Sequence, residues 1–133
     1  MQIQLANIHR QKDFFIMQLC LDLYDICKDL FYPELSPLDF LNFLNLRYLE
    51  FKVGVCSQKK SRVFYLIYLL KKNIIKDIGV SSEDWTNNIL MNLGLDRNDF
   101  DKHHKNIINN ASSTGGSSKF IKHINTIFGE EEL

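Results

Sequence analysis

A chain of 133 residues, 45% apolar and 24% charged, is enough for one globular domain that buries a core without metal or disulfide support. Sixteen basic and sixteen acidic side chains cancel. Two prolines and six glycines leave few turns, which argues against a many-stranded architecture and for long helices.

The most apolar run, residues 63–70, falls far short of the roughly 20 residues that cross a bilayer, so no membrane association is expected. Residues 1–13 mix His9, Arg10, Lys12 and Asp13 into the pattern, unlike a secretory signal. Cys20 and Cys27 would lie about 10 Å apart on one helix, too far to bond. With Cys56 they read as reduced thiols of a cytoplasmic protein.

The first helix is expected over residues 3–31. Ile16, Leu19, Leu23, Ile26 and Leu30 form one apolar stripe, and Phe14, Met17, Leu21, Tyr24 and Phe31 a second. Only Gln18, Asp22, Asp25 and Asp29 are left as a polar strip, so this helix is either central to the bundle or part of a homo-oligomer interface. Pro33 stops it. Ser36, Pro37 and Asp39 then read as N-cap, first position and capping partner of a second helix reaching Tyr48. From 48 to 55 apolar residues alternate with Tyr48, Glu50 and Lys52, the period of a half-buried strand that needs a partner.

A third, very apolar helix is expected from 58–61 to Ile78. Ile78-Gly79-Val80-Ser81 and Leu93-Gly94-Leu95-Asp96 then repeat a corner fifteen residues apart. In each, glycine ends one helix, the next apolar residue packs back, and Ser81 or Asp96 caps the following helix. This places helices over 82–93 and 97–110, with Trp85 and Phe100 in the core. A flexible linker is expected over 111–118, followed over 119–133 by an amphipathic helix and an acidic tail. The helix carries Phe120, Ile121, Ile124, Ile127 and Phe128 and must dock on the 1–110 domain, beside the first and fifth helices, or on a partner. The fold class is mainly α: a compact bundle of five to six helices with at most one short strand or hairpin element near 48–55.

Catalytic and metal signatures are sparse. No nucleophile elbow, phosphate loop, HExxH or CxxC occurs. Adjacent His103 and His104 diverge on a helix, and Asp99 with His103 supplies too few ligands for zinc. The Asp22, Asp25 and Asp29 strip reads as a solvated face. No catalytic residue, metal or cofactor is assigned. Charge is segregated instead: residues 47–76 hold eight cations against Glu50 alone, between two acidic stretches. Arg47, Lys52, Lys59, Lys60 and Arg62 are therefore candidate phosphate contacts.

Residues 63–70 (VFYLIYLL), 90–108 with Leu93, Leu95, Asp99, Phe100 and Ile108, and Ser118-Lys119-Phe120-Ile121 resemble the C-terminal half of the RteC family. These are regulators carried by Bacteroides tetracycline-resistance conjugative elements. The resemblance covers about 80 residues and implies a helical regulatory scaffold, encoded on a mobile genetic element. The family's closing basic residues are replaced here by the serine-glycine stretch and the glutamates, so no DNA-contacting residue transfers by position. The expected function is a non-enzymatic regulatory or protein-interaction domain with a protein partner or a second copy. The alternative is a DNA-binding transcriptional regulator using residues 47–62.

Overall fold

The computed structural model describes residues 14–74, 81–103 and 116–129. Expectations for 3–13 of the first helix, residues 75–80 with the first corner glycine, residues 104–110, the linker 111–115 and the tail 130–133 lie outside these. Six α-helices and one two-stranded element make up the described chain.

Helix α1 (Met17–Cys27) buries Cys20, Leu23 and Cys27 along one stripe. It tightens into a 3-10 turn (Lys28–Leu30) and opens into strand β1 (Phe31–Tyr32). The first helix therefore stops four residues short of the expected end, and Phe14, Phe15 and Ile16, expected within it, are not helical. Phe31 becomes extended because its backbone pairs with β2 (Gly54–Val55), in register Phe31 with Val55 and Tyr32 with Gly54, antiparallel. The strand expected over 48–55 is thus a hairpin-like pairing confined to its last two residues.

Ser36 caps α2 (Pro37–Leu44) by accepting from the Asp39 N–H, with Pro37 at the start, as the local chemistry predicts. The second helix ends at Leu44 rather than Tyr48 because Asn45 turns inward and Leu46 takes a left-handed conformation, φ 58°. Helix α3 (Lys60–Lys72) is the hub; it ends at Lys72 rather than running on to Ile78, because Asn73 leaves the helical conformation and its side chain donates to Leu69 O. It buries seven side chains and packs on α4, α5, the 3-10 turn and the last helix.

Helix α4 (Ser82–Leu93) starts on a Ser81 cap and stops at Gly94, whose φ of 70° is the left-handed value glycine adopts freely. Leu95 N–H then reaches back to Leu90 O at 2.9 Å, closing the corner predicted for this glycine. Helix α5 is described over Arg97–His103. The last helix, α6 (Gly116–Phe128), takes in residues 116–118, which were expected to be linker. Its main neighbours are α1 and α3, not the fifth helix.

Leu23, Leu66, Leu70, Trp85, Leu90 and Phe100 are buried as expected, whereas Ile26 is half-buried on the flank of α1. Phe15 meets the Trp85 ring edge-on at 5.1 Å, and Phe64 meets Phe100 at 5.7 Å, so aromatic pairs tie α4 and α5 to the rest of the core. Every buried side-chain nitrogen and oxygen among the described residues has a partner. Cys20 and Cys27 are unbonded buried thiols, and burial pushes the Cys27 thiol far up. No described helix is long and apolar enough to cross a membrane.

Candidate functional site

The site begins with a buried amide. Asn45 Oδ1 accepts from the Phe14 N–H at 2.7 Å and the Phe15 N–H at 3.2 Å, while its Nδ2 donates to Leu41 O. Next to it the Trp85 indole donates to Leu44 O at 2.9 Å. These bonds hold the end of α2 against α4, so residues 46–53 leave the core in a fixed direction.

That segment keeps the alternation seen in sequence without making a ladder over most of its length. Leu49 and Phe51 are half-buried and Val53 is buried, while Tyr48, Glu50 and Lys52 face solvent. A cleft of about 590 Å³ opens between it and the end of α4, lined in part by Leu46, Arg47, Tyr48, Phe51, Lys52 and Met91. Tyr48 is 85% exposed and Met91 67%, both large apolar surfaces at the rim. A second cleft of about 560 Å³ is lined in part by Tyr32, Lys60, Gly94 and Leu95. Lys52 and Val53 line both. Neither cleft has a carboxylate among its described lining residues.

The five candidate cations do not act as one patch. Arg47 and Lys52 border the first cleft. Lys60 borders the second but is held by Asp99 at 2.7 Å. Arg62 lies over the Phe120 ring at 5.8 Å, bracing α6. Lys59 is half-buried at the start of α3. Lys52 is exposed and makes no ion pair with a described residue.

Elsewhere charge serves to join helices. Glu83 bridges Lys71 on α3 and Arg97 on α5 at 2.6 and 2.9 Å. The hydrogen bond from Lys71 chiefly holds the Glu83 carboxyl below its usual range, with Arg97 adding to it. Lys60 does the same to Asp99. His103 Nε2 stands 3.5 Å from Asp99, but among the described residues no group of three metal-ligating side chains converges. His104 lies outside the described residues.

Of the C-terminal apolar set, Phe120 and Ile124 are buried and Ile121, Ile127 and Phe128 pack half-buried against the core. All five therefore contact this chain's own core, the last three only in part. Sequence reasoning missed Tyr32 and Met91. The first sits beyond a helix end that looked continuous, and the second on the outer face of a helix whose inner face drew notice. Comparison with protein-family models, curated proteins and solved structures finds no match to this chain.

Proposed function

We propose that the chain is a non-enzymatic protein-interaction domain, regulatory in role, whose contact surface is the cleft beside residues 46–53. The supporting observation is the pairing of exposed Tyr48 and Met91 with Arg47 and Lys52 around one concavity. Tyrosine, methionine and arginine are the residue types that protein interfaces enrich, and they concentrate binding energy where a concave wall excludes water. A mobile-element origin belongs to this reading only through the RteC resemblance, and adds no site residue to it.

A photo-reactive phenylalanine derivative placed at position 48 tests it. In cells it should crosslink to a defined protein, and the adduct should vanish when Met91→Glu is added. The same group at Asn88, exposed on α4, should give no such adduct. Equal labelling from both positions overturns the proposal.

The second reading, a DNA-binding regulator, draws on the same Arg47, Tyr48 and Lys52. Arg47, Lys60 and Arg62 each have a partner within the fold, Arg47 through Asn42 Oδ1, so Lys52 contributes most to it. A mobility shift on duplex DNA that weakens steeply with salt is its signature.

A further inference from the structure

Helix α1 keeps one apolar side in water. It packs on α2 and α6 and buries Cys20, Leu23 and Cys27. Ile16 is 66% exposed, Met17 55% and Leu21 43%, so three of the seven large apolar side chains exposed among the described residues fall within six consecutive positions. Apolar residues scattered singly over a surface need no cause. Met17 and Leu21 stand one turn apart on one face, and half-buried Tyr24 continues that face at i+7. The Tyr24 hydroxyl donates to Leu35 O at 2.6 Å and its ring meets Phe40 edge-on, which fixes this end of the face. Offset by one residue run Gln18, Asp22 and Asp25, with Asp29 following in the 3-10 turn, all four exposed. The neutral Gln18 amide donates to Asp22 at 2.8 Å, and none of the three aspartates makes an ion pair with a described residue. The lone cation among residues 16–30 is Lys28, whose ammonium lies 5.8 Å over the Tyr24 ring.

We infer that this face of α1 docks a basic amphipathic helix of a partner protein, whose apolar stripe covers Met17 and Leu21 and whose lysine or arginine side chains meet Asp22, Asp25 and Asp29. This is a contact surface separate from the cleft beside residues 46–53, which none of these side chains lines, so it stands whether or not that cleft binds protein. Spacing selects a helix as the occupant. A ridge at i, i+4 and i+7 interdigitates with the ridges of a second helix, and the 11 residues of α1 present it over about 16 Å, three turns. The Met17 thioether, with three rotatable bonds, adapts to whatever apolar side chain meets it. Charge selects a basic helix. Three carboxylates along one edge repel an acidic segment or a nucleic acid and attract a cationic one. The same charges oppose a second copy of this chain. On a two-fold axis a patch faces itself, so aspartates would stand against aspartates.

The test uses the full chain and a fluorescent peptide of about 14 residues, with leucine at helical spacing and lysine elsewhere, which spans about 21 Å as a helix. Fluorescence anisotropy gives affinity, and methyl and amide chemical shifts give the footprint. The peptide should bind, with the largest shifts at Met17, Leu21 and Asp25, and should weaken as salt rises from about 0.05 to 0.5 M. Leu21→Gln and Asp25→Lys, both at exposed sites, should each weaken binding by about tenfold or more while the folded spectrum is kept. A scrambled peptide of the same composition, which has the charge without the apolar stripe, should bind at least about tenfold more weakly. A leucine-glutamate peptide should not bind. No binding, equal binding of the scrambled peptide, or a footprint away from α1 overturns the inference. Sedimentation showing a dimer that Leu21→Gln dissolves overturns it in favour of a second copy. In the free chain, contacts from the Leu21 methyls to residues 1–13, together with no peptide binding, overturn it in favour of the chain's own first residues. Loss of the position-48 crosslink bears on the cleft alone and leaves this surface standing.

Discussion

The Tyr65 hydroxyl donates a 2.6 Å hydrogen bond to Asn125 Oδ1 inside the core, linking α3 to α6. Tyr65 is 3% exposed and Asn125 5%, so the bond is closed to water. Asn125 shares its helix with buried Phe120 and Ile124, and the bond sets the register in which that helix lies on the hub. An apolar stripe alone permits sliding; a buried donor and acceptor that must meet do not.

Tyr65→Phe should therefore destabilise the protein by about 1–3 kcal/mol, because it leaves the Asn125 amide oxygen unsatisfied. Combining it with Asn125→Leu should cost less than the sum of the two single changes. Urea unfolding of the four proteins in a double-mutant cycle measures that coupling. Additive losses would show that the bond contributes nothing specific.

Leu66 lies 1% exposed on α3, the helix with most neighbours. Leu66→Ala should cost about 2–5 kcal/mol, the transfer term plus the cavity left behind. A loss below about half a kcal/mol by chemical denaturation would place the hub elsewhere.

Asn45→Ala removes the acceptor for two amides at once. The expected cost is about 1–3 kcal/mol, the penalty of unsatisfied buried donors. The sharper readout is hydrogen exchange. The Phe14 and Phe15 amides should lose protection while the interior of α3 keeps it. Uniform loss along the chain would mean that Asn45 supports the whole fold and not the start of the described chain.

The carboxyl of Glu83 titrates lower in the folded chain than unfolded, chiefly through its bond to Lys71. A depressed folded value means stability that is complete above the ordinary glutamate value, about 4.3, and is lost as pH falls through the folded value. Glu83→Gln should thus lower the melting temperature slightly at pH near 7 and flatten its fall in acid. Because the pair is solvent-exposed the change is small, and added salt should shrink it. An acid profile identical to that of the unaltered protein would remove Glu83 as a contributor.

What the sequence determined by itself was set within one or two turns. The caps at Ser36 and Ser81 and the left-handed stop at Gly94 followed from residue chemistry, because a side-chain oxygen or a missing Cβ acts on backbone a few residues away. The buried face of α3 followed from periodicity, and the alternation over 48–55 correctly separated Tyr48 and Lys52 from Leu49 and Val53. Only the tertiary structure decided where α1 stops, since Phe31 suits a helix or a strand equally and Val55, far along the chain, supplies the pairing. It also decided that Lys60 answers Asp99 and that Arg62 covers Phe120, which divides a basic run that looks uniform in sequence. The same holds for the clefts. Tyr32, Lys52 and Gly94 come from three separate segments, and hydrophobic patterning assigns each residue a buried or exposed side without saying which surfaces meet.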